Sequence, residues 1–202
     1  MPLNLQEKFD AIHAQEEQFA YRLAKDVVKK PEASAWMILV PILFVHHVMK
    51  IGDYKEGVRS FAKNILSSKE KALKLAHLEL QSGTAQSGSS QDYFSDVKLD
   101  THEEKALAEK QVKIIQYLQQ HYLTMLRQSG STFEELIRNA YKTQGEYRRF
   151  LNNLTELEKD ANQYLVDNFQ KDEEYKILLR KIEEQTEALR EEELSFFFNN
   201  EK

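Results

Sequence analysis

The sequence predicts an all-α protein, and three observations carry that expectation. Proline stands only at 2, 31 and 41, leaving the last 161 residues without one, and there are only six glycines in 202 residues. These are the two residues that cost a helix interior most. Through most of the chain, apolar residues recur at three- and four-residue steps, the spacing of one helix face. Charged residues make up 30 % and mean hydropathy is −0.63, as expected of amphipathic helices with solvated outer faces.

The first helix is expected over 4–29. Leu5, Phe9, Ile12, Phe19, Leu23 and Val27 form its stripe, and Asn4 with Glu7 suits a reciprocal N-terminal cap. Glu16 falls on that stripe, which suits either a snorkelling or locally paired carboxylate or a polar contact inside a bundle. Pro31 ends the helix. After the turn signal Gly52-Asp53, a basic helix runs through YKEGVRSFAKNILSSKEKALKLAHLEL. SSKE at 67–70 reads either as a restart or as tolerated serines. SGTAQSGSSQ, 82–91, is rich in Gly, Ser and Gln without periodicity and reads as a flexible linker.

Three helices are expected beyond it. The first starts at Asp100 or Thr101, with Val112, Ile115, Leu118, Tyr122, Met125 and Leu126 as its stripe. SGSTFEE, 129–135, is a helix–helix corner in which Ser131 and Glu134 suit a capping box. A long helix follows over about 133–169, its apolar residues approximating the seven-residue pattern of a coiled coil. QKDEE at 170–174 turns the chain into a last helix ending near SFFFNN. Short corners join antiparallel neighbours, so 100–198 is expected to be an antiparallel three-helix bundle. The expected organisation is therefore N-terminal helices around a short apolar segment in 1–81, a linker over 82–99, and a bundle over 100–202.

ASAWMILVPILFVHHVMKI, 33–51, stands apart, with no charged side chain between Glu32 and Lys50. Trp36, Met37, Ile38, Leu39, Val40, Pro41, Ile42, Leu43, Phe44 and Val45 would cover every side of a helix, whereas small bundles offer one stripe per helix. Seventeen uncharged residues span roughly 25 Å as a helix, and Pro41 kinks it, so each half is too short to cross a bilayer of about 30 Å. Residues 22–77 carry a net charge of +6 inside a chain of net −5. Arg22, Lys25, Lys29 and Lys30 precede the segment, and Lys50, Lys55, Arg59 and Lys63 follow it. Balanced basic flanks suit a segment that enters and leaves on one face of an anionic membrane, or lies in its interface. Trp36 through Val45 are thus candidate anchoring residues, and Lys29, Lys30, Lys50, Lys55, Arg59 and Lys63 are candidate headgroup contacts.

Other chemistry is not supported. There is no cysteine, which excludes disulfides and thiolate sites. His46 and His47 point about 100° apart on a helix, and no carboxylate in the segment completes a metal set. No Glu-x-x-His pair, phosphate-cradling glycine loop or nucleophile motif is present. No cofactor and no enzymatic activity are expected, and the acidic C-terminal part argues against nucleic acid. RNAYKTQGEYRRFL, 138–151, offers Arg138, Tyr141, Tyr147 and Arg148 as a candidate partner surface, against the plainer reading of a bundle helix with cation–π and i,i+4 pairs. LSFFF, 194–198, either folds back on the bundle or docks a partner.

EEQFAYRLA at 16–24, WMILVPILFV at 36–45, FAKNILSSKEKALKLA at 61–76, HYLTMLRQSGSTFEELIRNAYKTQGEYRRFLNNLTELEKDA at 121–161 and TEALREEELSFFF at 186–198 resemble an uncharacterised bacterial protein family of about this length. That family is known chiefly from anaerobic, sulfate- or metal-reducing proteobacteria. The likeness covers most of the chain except 82–98. It implies one coherent architecture with a Trp-led, proline-centred apolar segment, and it implies no catalytic residue, cofactor or substrate.

Together these readings give an expected function: a non-enzymatic, membrane-associated helical interaction or scaffold protein at the cytoplasmic face of the inner membrane. It would be anchored by 33–51 on anionic lipid, have a protein partner of unknown identity, and leave room for a homo-oligomer. The N-terminus lacks the pattern of a secretory signal. The alternative is a soluble cytoplasmic all-α adaptor or oligomer with 33–51 as a buried core helix.

Overall fold

The computed structural model describes residues 2–27, 54–85, 93–94, 99–169 and 173–199, without the side chains of 54–57, 174 and 199. Six helices are found among these residues, and no strand: α1 (Leu5–Val27), α2 (Tyr54–Ser82), α3 (His102–Leu126), α4 (Phe133–Tyr141), α5 (Gln144–Asn168) and α6 (Glu173–Asn199). The protein is all-α. The whole apolar segment 33–51 lies outside the described residues, as do Lys29, Lys30, Lys50 and Pro31.

Local chemistry sets the helix ends. The Asn4 side chain accepts from the Glu7 amide at 2.9 Å, and the Glu7 carboxylate accepts from the Asn4 amide at 2.8 Å, so both orphan donors are satisfied. Thr101 and Glu104 form the same box on α3. Thr101→Ala should lower stability by about 1 kcal/mol, read as a shifted urea midpoint with unchanged slope. Ser67 donates to the Asn64 carbonyl within an unbroken α2, so SSKE is tolerated and starts no new helix. Gly83 ends α2 in the left-handed region at φ 69°, its amide bonded to the Glu79 carbonyl.

The C-terminal half departs from expectation at two places. The cap on α4 is Thr132, one residue later than expected, and Glu135 reaches back to the Ser131 amide and hydroxyl. The expected single helix over 133–169 is broken. Lys142 takes φ 57°, and Thr143 restarts the helix by accepting from the Glu146 amide. A capping threonine outcompetes the continuing helix because its side chain supplies the acceptor that a new first turn needs. Residues 100–198 therefore hold four helices rather than three, and the seven-residue pattern is interrupted at 142–143. Gly130 permits the corner before α4: a Cβ there would meet the Leu136 and Glu135 side chains at 3.1 and 3.2 Å.

Five of the helices close a ring, with contacts α1–α2, α2–α3, α3–α5, α5–α6 and α6–α1. Paired residues give the directions. His13 meets Glu70 while Glu16 meets Lys69, so α1 and α2 are antiparallel. Lys110 meets Asp160 while Tyr117 stacks on Phe150, so α3 and α5 are antiparallel. Tyr147 contacts Phe197 while Asn162 bonds Glu183, so α5 and α6 are too. Gln15 bonds Glu193 while the Val27 carbonyl accepts from Lys181, which makes α6 and α1 antiparallel. A ring of five cannot alternate throughout, so one pair must be parallel. That pair is α2–α3: Glu79, near the C-terminal end of α2, meets Gln119 and Arg127 at the C-terminal end of α3.

A parallel pair needs a connection that returns along the bundle. An α-helix of 25 residues spans roughly 37 Å, and 83–101 join two helices that run the same way. Tyr93 and Phe94, inside the stretch read as a flexible linker, are buried in the core, with the Lys71 ammonium over both rings. The core itself ignores the expected boundary: Ile12, Ala72, Leu73 and Ala76 share one apolar cluster with Ile115, Tyr122, Leu136, Phe150 and Phe197. A second cluster joins α1, α2 and α6 through Phe19, Leu23, Val27, Val58, Phe61 and Leu189. The short α4 packs against α1, α3, α5 and α6 at the end of the ring where α1 begins.

Candidate functional site

The inside of the ring carries charge. Glu16 faces inward because it lies on the stripe between Ile12 and Phe19. Its side chain is only 13 % exposed and is met by two others. The Lys69 ammonium donates to Oε2, and the Tyr122 hydroxyl donates to Oε1 at 2.7 Å. Of the two readings of Glu16, the structure bears out the polar contact inside a bundle. Burial would raise its carboxyl; the Lys69 charge, with the hydrogen bonds from Lys69 and Tyr122, outweighs burial and holds it below its ordinary value. The Lys69 ammonium also lies 4.3 Å from the Phe19 ring centroid.

Around this pair lie three further polar groups. Arg190, from α6, is almost fully buried and makes a bidentate pair with Glu158, both bonds 2.8 Å, plus a bond to the Thr155 hydroxyl. Glu193 accepts from Gln15, and burial together with nearby Glu16 pushes its carboxyl up to about 7. His121, 6 % exposed, stacks on Phe150 with ring centroids 4.1 Å apart and shares a hydrogen bond between Nδ1 and the Tyr141 hydroxyl. Burial lowers its pKa to about 3, so the ring is neutral at pH 7. Tyr141, Tyr147, Phe150, Phe133 and Phe197 complete an aromatic cap over this end.

Two spaces follow from the ring. An inner chamber of about 30 Å³ is bordered by Glu16, Lys69, His121, Tyr147, Arg190 and Glu193. A larger cavity of about 230 Å³ adjoins it, with Phe19, Lys69, Leu118 and Arg190 bordering both. Every ring helix contributes a wall to the larger one: Leu23 from α1, Ile65 from α2, Ile114 from α3, Ala161 from α5 and Ile182 from α6. Charged groups border it as well, among them Glu158, Lys159, Glu183 and Glu187.

The buried titrating groups give a pH signature. Unfolding would return His121 to an ordinary value of 6.5 and Glu193 to 4.5. Because the folded His121 pKa is depressed, its stabilising share is full above pH 6.5 and is lost as pH falls toward 3. Glu193 acts in the opposite sense: its folded pKa is raised, so its share is full below pH 4.5 and is lost as pH rises toward 7. Between pH 4.5 and 6.5 the two cancel. Stability should therefore stay level across that window and fall below it, and in Glu193→Gln the fall should begin near pH 6.5. Urea titrations at each pH check both curves.

The residues singled out in the sequence are placed as follows. Arg59 and Lys63 are exposed on α2, while the side chain of Lys55, and all of Trp36 through Val45, lie outside the described residues. Tyr147 is buried and cannot present a partner surface. Tyr141 is half-buried against His121, Arg138 donates to the Phe197 carbonyl, and Arg148 pairs with Glu191. All four make contacts within the bundle, and the Arg148 side chain remains 44 % exposed. In LSFFF, Leu194 and Phe197 fold back into the core while Phe196 is 54 % exposed. Sequence reasoning missed Lys69, His121, Arg190 and Glu193. His121 and Arg190 carry no mark in the sequence that separates them from solvated polar residues; the apolar neighbours Leu118 and Tyr122 were the available hint for His121.

Among the described residues no group of three His, Asp or Glu is placed to hold a metal ion. No helix among them is long and apolar enough to cross a membrane. Comparison of the chain with protein-family models, with curated proteins and with solved structures gives no match.

Proposed function

We propose that the protein is a membrane-associated helical interaction or scaffold protein, non-enzymatic, held at the cytoplasmic face of the inner membrane by shallow or re-entrant insertion of 33–51. The observation that carries this reading is the antiparallel packing of α1 against α2 in a shared core. Val27 and Tyr54 then belong to the same end of the bundle, and the chain between them departs from and returns to that end. A single crossing would put α1 and α2 on opposite sides of the bilayer, where they could not pack. Two crossings need roughly 40 residues, and 28–53 has 26. Among membrane-bound arrangements, this favours a segment that dips in and comes back over one that crosses.

Charge supports the same reading. Lys25 on α1 and Arg59 and Lys63 on α2 are exposed in the half of the bundle nearest that segment. A basic residue close to an anionic surface contributes about 1 kcal/mol, so the flanks add to what the apolar segment supplies. The test is sedimentation of the full chain with vesicles of phosphatidylcholine and phosphatidylglycerol. Binding is expected, and Val40→Asp with Leu43→Asp should abolish it while leaving the thermal unfolding transition in place. A wild-type chain that stays in the supernatant at low salt overturns the proposal. Loss of binding together with loss of folding favours a soluble adaptor with a buried 33–51.

A further inference from the structure

Glu193 stands at a boundary. On one side it borders the inner chamber, and on the other an outer groove of about 360 Å³ between α1, α4 and α6. Gln15 borders both spaces too, and its side-chain amide donates to the Glu193 carboxyl at 2.9 Å, joining α1 to α6 at that level. The two sides differ in charge. In the chamber, Glu16 from α1 is paired with Lys69 from α2, and Arg190 from α6 is held by Glu158 from α5. His121 of α3 and Tyr147 of α5 are neutral there, because burial lowers the pKa of the first to about 3 and raises that of the second well above its ordinary value. In the groove, Arg22 from α1 pairs with Glu192 from α6, their side chains 40 % and 62 % exposed, and Glu134 from α4 adds a further carboxylate.

We propose that Glu193 is a pH-operated gate between the groove and the inner chamber: protonated, it holds Gln15 and closes the α1–α6 seam, and ionised, it turns outward to Arg22 and lets water into the chamber. Three forces act on the ionised form in the same direction. Burial disfavours a charge on the chamber side, Glu16 repels it from within, and Arg22 attracts it from the groove. Lys69 pulls it inward, but Glu16 already offsets that ammonium. Glu134 and Glu192 oppose the outward position, and water in the groove screens them. Protonation removes these forces, and the carbonyl oxygen of the neutral acid still accepts from Gln15. Burial first, and Glu16 second, hold the carboxyl up to about 7, so the change falls near neutrality. A side chain with two positions and one proton deciding between them is a two-state element. The gate lies within the bundle and owes nothing to lipid.

Access to the chamber decides it. Leu151, on α5, is buried and borders the chamber, and the chain has no cysteine, so Leu151→Cys places a single thiol there. Its reaction with methyl methanethiosulfonate is followed in the full chain at pH 5.5 and 8.5, with and without Glu193→Gln, and circular dichroism confirms that both proteins are folded. Comparison at one pH cancels the thiol's own ionisation. At pH 5.5 the two rates should agree, and at pH 8.5 the chain that keeps Glu193 should react at least tenfold faster. Carbon-13 NMR of the Glu193 carboxyl in the unsubstituted protein needs no buried variant. It should titrate near 7, and the Gln15 side-chain amide should shift with the same midpoint. Arg22→Gln should raise that midpoint and slow the reaction at pH 8.5. Equal rates at both pH values overturn the proposal, as does a difference that persists at pH 5.5 or is no larger than the change in global unfolding rate. So do a Glu193 midpoint near the ordinary 4.5 and a Gln15 amide that does not move.

Discussion

Lys69→Met should destabilise the fold by about 3–5 kcal/mol at pH 8, because it removes one member of a buried ion pair and leaves the other charged. The Glu16 carboxylate would keep only the Tyr122 hydroxyl, inside a ring where both side chains of the native pair are less than 15 % exposed. Methionine matches the lysine stem in length and keeps the contact with Phe19, so the loss is electrostatic. Replacing both partners, Glu16→Gln with Lys69→Met, should recover most of it, since no isolated charge then remains buried. The pH dependence separates this account from a packing defect. In the native protein the Glu16 pKa is depressed, so its contribution is present above 4.5 and is lost as pH falls through the folded value. Without Lys69, burial acts with little opposition and raises the Glu16 pKa. In Lys69→Met the Glu16 contribution should therefore decline as pH rises, the reverse of its native sign. Urea unfolding from pH 4 to 8, with Glu16→Gln as the reference for the group's share, measures both effects.

Phe150→Ala should cost about 3–5 kcal/mol, the usual range for a buried phenylalanine. Phe150 lies at the centre of the aromatic cap, stacked on His121 and Tyr117 and in contact with Tyr141 and Tyr147. Aromatic pairs add roughly 0.5–1.5 kcal/mol beyond the area they bury, so this truncation belongs at the upper end of the range. The same change uncovers His121. Its pKa is low because burial disfavours the charged ring, so hydration through the lost phenyl group should move it from about 3 toward 6.5. Proton NMR of the imidazole against pH reads that shift independently of the stability loss. A large loss of stability with no movement of the His121 titration would mean that water does not reach the chamber through the cap.

Helices were the most legible part of this chain, because apolar period and caps are local. Asn4 with Glu7 and Thr101 with Glu104 are pairs three residues apart, and each terminates its helix where the sequence says it should. The break at Lys142–Thr143 was harder to read, since KTQGE lacks proline and its glycine lies beyond the break. Thr143 looks like any mid-helix threonine until its hydroxyl is seen to accept from Glu146. Closure of the ring was not legible at all. Nothing within α2 or α3 states that they run parallel, and the expectation of a linker at 82–91 followed from composition alone. The aromatic pair Tyr93 and Phe94, two large apolar side chains inside a polar stretch, was the signal that this connection is tied to the core. The polar interior was half legible: Glu16 announces itself by breaking an apolar stripe, whereas its partner Lys69 sits 53 residues away in a helix already rich in lysine.

The placement of α1 and α2 on one side of the membrane is the claim on which the functional account rests, and the chain's lack of cysteine makes it directly measurable. Lys25→Cys and Lys63→Cys are exposed single substitutions, one on each helix flanking the apolar segment. In sealed inner-membrane vesicles of known orientation, a membrane-impermeant maleimide should label both variants from the cytoplasmic face before lysis. Labelling of one variant only before lysis and of the other only after it would put the two helices on opposite sides and contradict the account.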